Sequence, residues 1–220
     1  MSELHLRIYS SVVLGVLALS VTWIGGPFYF LLWLAAAVLI LWEWAKISRF
    51  NPLWLIAGVA YAGIFLAAMV LLRNSPSGRA AIFWLFGSIW AADSAAYFGG
   101  RLIGGPKLWP AVSPGKTWAG AITGTAAGIA AGLVVLVAEG ITFSFMHLVI
   151  GLLTVIAAQL GDLFESAIKR RFAVKDSGWI IPGHGGVMDR CDSLVAASAI
   201  ALLLGAIRMA QAPAQGLLVW

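Results

Sequence analysis

Long apolar segments recur along the chain and constrain its fold more than any other feature. A helix that spans a bilayer needs about 20 consecutive, mostly apolar residues. Segments of this kind lie at about residues 10–26, 27–44, 53–72, 80–99, 117–138, 141–161 and 193–212. We therefore predict an all-α, polytopic integral membrane protein with about seven transmembrane helices.

The composition agrees with a membrane protein and excludes an ordinary water-soluble domain. Of the 220 residues, 61% are hydrophobic and 10% are charged, whereas soluble domains carry about 25% charged residues. A pI near 9.7 is typical of nucleic-acid binders, but in a membrane protein basic residues more often record orientation, so we expect no nucleic-acid partner. The lone Cys191 excludes an internal disulfide. We interpret the first apolar run as a retained helix, since many more follow it.

The basic residues predict the orientation in the membrane. With a cytoplasmic N-terminus, eleven Lys and Arg residues lie on the cytoplasmic side and three on the other, which agrees with the positive-inside rule. The polar segments 100–116 and 162–192 then share the cytoplasmic face and can form one site. We interpret residues 1–220 as a single membrane domain, with N-terminal helices over 1–92, a catalytic region over 93–193 and a C-terminal helix over 194–220.

Glycine repeats at every fourth position of the fifth apolar segment, at residues 120, 124, 128 and 132. These positions share one helix face and make a groove for close helix contact. Tight packing within one chain is one interpretation. A seam between two copies of the chain is the other, so a homodimer through transmembrane helices stays open.

The charged residues concentrate between Ser166 and Ser193. Just before this stretch, Asp162 shares a helix face with Ser166 and Lys169, and Glu165 can pair with Lys169. The alternative is a solvated helix end. Further on, three glycines flank His184 in the segment PGHGG, where backbone N–H groups can approach an anion; the alternative is a structural turn.

Asp189 and Asp192 are three residues apart, so both carboxylates can face one point at the start of the last helix. Hard oxygen ligands of this kind suit Mg²⁺, and no Cys/His spacing indicates zinc. The alternative for Asp192 is a helix cap.

Asp93 lies inside an apolar segment, where an acid is costly and by default functional. The alternative is a pair with Arg101 or another helix. Glu43, near the end of the second segment, raises the same question. The segment Ser113–Thr117 is predicted to open the fifth helix, whose free N–H groups favour an anion, and Lys107 and Lys116 would add positive charge.

Together these residues resemble the phosphatidate cytidylyltransferase family (CDP-diacylglycerol synthases). The family pattern S-x-x-K-R-x4-K-D followed by P-G-H-G-G-x-x-D-R-x-D is matched from Ser166 to Asp192, and the segments DSAAYFGGR and SPGKTWAG are also similar to the family. The resemblance is sharp over about residues 93–193. Gly115 and Ala119 depart from the pattern, where a lysine and a glutamate are expected.

The resemblance implies transfer of the cytidylyl group of CTP to phosphatidic acid, which releases pyrophosphate, with Mg²⁺ and with a second, monovalent cation left open. It implies a metal site at Asp162, Asp189 and Asp192, with Asp93 as a supporting acid. It also implies location in a bacterial inner membrane, with the site facing the cytoplasm. The other residues that it implies are catalytic Lys169, Arg170, Lys175, Asp176, His184 and Arg190, and nucleotide-binding Ser113, Lys116, Thr117, Ser166, Gly183, Gly185 and Gly186.

The physical chemistry of the residues agrees with this reaction. A phosphomonoester is already an oxyanion at neutral pH, so charge neutralisation and positioning carry the catalysis. Two alternatives remain open. One is a CTP-dependent polyprenol or lipid kinase, which would release CDP; the other is a transporter, for which the sequence shows no convincing inverted repeat.

Overall fold

A computed structural model describes residues 3–181 and 185–220, and long helices dominate it. Seven of the helices in this part of the chain are long and apolar enough to cross a membrane. This confirms the all-α polytopic prediction. The helices are α1 (Glu3–Ile24), α2 (Gly26–Ile47), α3 (Pro52–Asn74), α4 (Gly78–Leu102), α5 (Trp118–Ala138), α6 (Phe145–Arg171), α7 (Met188–Arg208) and the short α8 (Pro213–Leu218).

The helix boundaries differ from the predicted ones mainly near the charged residues. Helix α6 continues to Arg171, and α7 already begins at Met188. The C-terminal end of α6 and the N-terminal end of α7 both extend beyond the predicted apolar segments, so charged side chains are accommodated there within the helices. The acidic residues at 162, 189 and 192 therefore lie on rigid helices and not in a connecting loop.

A small antiparallel hairpin, absent from the prediction, connects α4 to α5. Strand β1 (Lys107–Trp109) pairs with strand β2 (Ser113–Thr117). The segment Ser113–Thr117 leads into the fifth helix as predicted, but as a strand and not as a helical turn, because a residue that precedes proline, here Ser113, favours extended backbone. Helix α5 starts at Trp118, and the buried Thr117 hydroxyl accepts a hydrogen bond from the Gly120 N–H at 3.1 Å.

The glycine stripe of α5 packs against α4 of the same chain. A Cβ atom placed on Gly120, Gly124 or Gly128 would lie 2.7–2.8 Å from a backbone carbonyl oxygen of α4. Only glycine allows this approach, which confirms close packing within one chain. The stripe is therefore covered and not available as a dimer seam. A homodimer through other helix faces stays a prediction.

The two polar segments meet at one end of the helix bundle. Lys116, at the end of the hairpin, pairs with Asp162 of α6, and Arg170 donates from Nε to the Val112 carbonyl at 3.3 Å. At the other end, Arg79 pairs with Glu139. The fold therefore places the hairpin against the charged end of α6.

Replacing Gly124 with alanine should destabilise the fold, while Gly63→Ala should not. The added methyl group at Gly124 meets the Ala92 carbonyl at 2.8 Å, whereas nothing lies within 4 Å of a Cβ at Gly63. Overpacking costs about 1–3 kcal/mol, but an unopposed Gly→Ala change in a helix gains up to about 1 kcal/mol. Thermal unfolding of the two detergent-purified variants checks this, and equal melting temperatures would contradict the packing account.

Candidate functional site

Asp189 forms the centre of a dense hydrogen-bond network in the first turn of α7. Its Oδ1 atom accepts from the Lys169 ammonium at 2.6 Å. Its Oδ2 atom accepts from the N–H groups of Ser177 and Gly186, each at 2.9 Å, and lies 2.8 Å from the Ser177 hydroxyl. Since a carboxylate offers about four lone-pair positions, this side chain is held in a single orientation.

Glu43, from the distant helix α2, caps the start of α7. Its side chain is 1% exposed, and its two oxygens accept the N–H groups of Val187 at 3.0 Å and Met188 at 2.8 Å. The Ser177 hydroxyl also lies 3.0 Å from Glu43 Oε2. A carboxylate at a helix N-terminus satisfies free N–H groups and interacts favourably with the helix dipole. Glu43 thus ties α2, the segment before α7 and α7 itself together.

Lys169 bridges two carboxylates from different helices. Its ammonium lies 3.1 Å from Glu165, one turn earlier on α6, and 2.6 Å from Asp189 on α7. This confirms the predicted Glu165–Lys169 pair. The side chains are almost enclosed, at 14% exposure for Lys169 and 1% for Glu165, so the bridge fixes the relative position of α6 and α7. We name Glu43, Glu165, Lys169, Ser177 and Asp189 the anchor cluster.

A second, more open group of charges adjoins the anchor cluster. Lys116 Nζ lies 2.5 Å from Asp162 Oδ2, and the two side chains are 28% and 31% exposed. Asp93 is within electrostatic reach of Asp162 and Lys116, and Asp192 interacts with Asp162 and Asp93. We name Asp93, Lys116, Asp162 and Asp192 the open cluster. Helices α4, α6 and α7 each contribute an acid to it.

The fold excludes a helix cap as the role of Asp192 and a pair with Arg101 as the role of Asp93. Asp192 accepts the adjacent Ser193 N–H at 2.7 Å and does not cap α7, since Glu43 has that role. Arg101 lies over the Tyr97 ring at 4.3 Å, and the ion pairs found over residues 3–181 and 185–220 do not join it to Asp93.

The other predicted site residues surround these clusters or lie on the surface. Lys175, Asp176 and Arg190 are exposed, Ser113 and Ser166 are half-buried, and Gly186 is buried. Gly185 takes a left-handed backbone conformation with φ of +83°. Gly183 and His184 lie outside the described residues, so their assigned roles stay predictions.

Glu43 and Ser177 are the functional candidates that sequence reasoning did not place in the site. The signal for Glu43 was present, because an acid in an apolar helix requires a partner. Its partners, however, are backbone groups more than 130 residues away, which no local pattern reveals. Ser177 gave no signal, since a serine in a polar segment is usually exposed.

Carboxyl groups outnumber basic groups in the two clusters. The six acids Glu43, Asp93, Asp162, Glu165, Asp189 and Asp192 outnumber the neighbouring bases Lys116, Lys169 and Arg190. Within the described part of the chain, no group of three or more His, Cys, Asp or Glu side chains is arranged as a ready metal site. The arrangement can thus neutralise phosphates through its bases, and its carboxylates have the hard-oxygen chemistry that Mg²⁺ prefers.

Fold and site together define a polytopic membrane protein with a charged cluster at one end of its helix bundle. Comparison with known proteins adds the family. The model of the cytidylyltransferase family matches residues 51–207, and the chain belongs to this family.

Relatives match over nearly the whole chain. A phosphatidate cytidylyltransferase of Brucella suis biovar 1 is 39% identical over 94% of this chain and 95% of its own length. Proteins of the same name from Rickettsia bellii and Rickettsia typhi are 36% and 37% identical. They cover 94% and 88% of this chain, and 92% and 88% of their own lengths.

Replacing Glu43 with glutamine should destabilise the protein by about 1–3 kcal/mol, because the amide turns one of two acceptor oxygens into a donor and leaves a buried N–H at the α7 N-terminus without an acceptor. Glu139→Gln is the matched control at the opposite end of the bundle. Its partner Arg79 is 46% exposed, and an exposed pair of this kind contributes less than about 1 kcal/mol. Unfolding of both variants in detergent measures the difference; a Glu43 variant as stable as the control would disprove the capping role.

Proposed function

We propose that this protein is the enzyme that transfers the cytidylyl group of CTP to phosphatidic acid, forming CDP-diacylglycerol and pyrophosphate. Its family membership and the names of its relatives support a nucleotidyltransferase. The observation that carries the proposal is the open cluster. It joins acids from three membrane helices with Lys116, at the end of the bundle where a lipid head group meets water.

The reaction requires charge neutralisation more than acid–base chemistry. One oxygen of the lipid phosphate attacks the α-phosphorus of CTP, a new P–O bond forms, and the bond to the bridging oxygen breaks as pyrophosphate leaves. Because a phosphomonoester has a second pKa near 6, the nucleophile is already ionised at neutral pH. No side chain has to remove a proton, which agrees with a site built of Lys, Arg and carboxylates.

The basic residues have separate tasks in this proposal. Lys116 of the open cluster and the neighbouring Arg190 bind phosphate oxygens of the two substrates, with the exposed Lys175 at the entrance. Lys169 is enclosed between Glu165 and Asp189. It therefore fixes α6 relative to α7 and contributes positive charge from the interior of the helix bundle. Arg170 keeps the hairpin over the site through the Val112 carbonyl.

Asp162, Asp189 and Asp192 would hold Mg²⁺, with Asp93 in support. The fit rests on the excess of carboxylates and on their oxygen chemistry. When bound, the ion would neutralise the triphosphate and stabilise the developing charge on pyrophosphate. Asp162 is the more accessible donor, with 31% of its side chain exposed, whereas Asp189 is 8% exposed and already accepts Lys169 and two backbone N–H groups. A second, monovalent cation is a further proposal for the same acids.

We also propose that the site faces the cytoplasm of a bacterial inner membrane. The excess of basic residues at the end that carries the hairpin and the charged ends of α6 and α7 supports this orientation. CTP would enter from the water phase, and the acyl chains of phosphatidic acid would remain in the bilayer.

Purified protein in detergent with CTP, Mg²⁺ and phosphatidic acid should release pyrophosphate and label the lipid in equal amounts, and EDTA should stop both. Radiolabel in the lipid phase and an enzyme-coupled pyrophosphate assay measure the products. CDP in place of pyrophosphate would indicate a lipid kinase. Folded protein that forms neither product would overturn the proposal and leave transport as the next hypothesis.

Asp162→Asn should lower kcat roughly 100-fold, the size of effect seen when one electrostatic contact to a transition state is removed. Lys116→Met should mainly raise KM for CTP. If the 2.5 Å pair were only structural, each single variant and the double variant would show the same defect. Steady-state kinetics of the three proteins, over a range of Mg²⁺ concentrations, distinguish these outcomes. The apparent Mg²⁺ affinity should fall only where Asp162 is replaced.

A further inference from the structure

Three consecutive basic residues end α6, and each side chain goes to a different place. Lys169 enters the anchor cluster, and Arg170 reaches the hairpin at Val112. Arg171 does neither, because its guanidinium lies over the Trp54 ring of α3 at 5.4 Å. The function proposed above assigns roles to Lys169 and Arg170 but none to Arg171.

Arg171 lies nine residues after Asp162 on α6, which is about half a turn around the helix, and it lines a pocket on the side away from Asp162. The pocket has a volume of about 760 Å³ and lies between the α2–α3 turn and the end of α6. Arg49 and Arg171 give it two positive charges, and none of the described residues that line it is acidic. Both arginines are exposed. The pocket is therefore complementary to an anion.

The α2–α3 turn holds Arg49 in place through its backbone. The N–H groups of residues 49, 50 and 51 donate to carbonyl oxygens of residues 46, 45 and 48 at 2.9–3.1 Å. Arg49 and Phe50 both take left-handed conformations, with φ of 52° and 56°. Asn51 caps α3 by accepting from Leu53 and Trp54. The first positive charge of the pocket is thus carried by a turn of defined shape.

An apolar surface continues from the pocket toward the membrane. Phe50 is 56% exposed, and Leu53, Ile56 and Val59 on the adjoining helix α3 are 57–74% exposed. Aromatic residues such as Trp54 are typical of the boundary between water and lipid. A ligand that combines an anionic group with hydrocarbon chains matches this order of surfaces, whereas a free anion would use only the arginines.

We propose that this pocket, formed by Arg49, Arg171, Trp54 and the α2–α3 turn, binds the phosphate of an anionic membrane phospholipid whose acyl chains lie along α3. The bound lipid is distinct from the one that reacts. It sits on the opposite side of α6 from the open cluster and supports the end of that helix, which carries Lys169 and Arg170. The pocket is an accessory lipid site, and its ligand is a phospholipid whose phosphate is a phosphodiester.

Native mass spectrometry of the detergent-purified protein tests the proposal with phosphatidylglycerol and phosphatidylcholine of equal chain length. Phosphatidylglycerol has no phosphomonoester, so it cannot serve as the proposed nucleophile, and its binding is measured apart from activity. We expect the wild type to retain phosphatidylglycerol preferentially. The double variant Arg49→Gln, Arg171→Gln should bind it roughly 25-fold more weakly, at about a factor of five for each cation near an anionic lipid.

Lys46→Gln is the matched control, since Lys46 is exposed on α2 near the same turn but lies over Trp42 and outside the pocket. It should bind phosphatidylglycerol as the wild type does. The single variant Arg49→Gln, which keeps the contact between Arg171 and Trp54, repeats the test if the double variant unfolds. Equal binding of both lipids by the wild type, or equal loss in the Lys46 control, would overturn the proposal. So would full competition by millimolar inorganic phosphate, because it would assign the pocket to a soluble anion.

Discussion

The buried carboxylate of Glu43 is the constraint on which the site depends. It is one of the few charges inside the helix bundle, and it binds the free N–H groups at the start of α7. Without Glu43, the N-terminus of α7 would lose the negative charge that its helix dipole favours. The buried N–H groups of Val187 and Met188 would also lose their acceptor. Because Asp189 and Asp192 follow within five residues, the position of this cap determines where both acids point.

The anchor cluster stabilises the helix packing, whereas the open cluster is accessible from solvent. Glu43, Glu165 and Lys169 are almost enclosed, and they join α2, α6 and α7 through short contacts. Lys116 and Asp162 are about 30% exposed, which leaves them accessible to a ligand. The enclosed anchor cluster keeps the exposed charges of the open cluster in position before any ligand binds. This lowers the reorganisation that an electrostatic catalyst would otherwise need.

Hydropathy was sufficient to predict the helices, because spanning a bilayer requires long apolar runs whatever the tertiary contacts are. The predicted Glu165–Lys169 pair also follows from helix geometry alone. The hairpin was missed because two short strands contain too few residues for an alternating pattern. The start of α7 was misplaced because its first turn is charged and was therefore not included in the apolar segment. The partnership of Glu43 with Val187 and Met188 joins distant parts of the chain, and one sequence contains no local trace of it.

Residue-resolved hydrogen exchange of the detergent-purified protein tests the central role of Glu43 most directly. The account predicts slow exchange at Ser177, Gly186, Val187 and Met188, whose N–H groups donate to buried carboxylates. The exposed Trp179 and Ile180 should exchange rapidly. In Glu43→Gln, exchange should accelerate at the amide that loses its acceptor, Val187 or Met188, while α5 is unchanged. Rapid exchange at these amides in the wild type, or no change in the variant, would contradict the account.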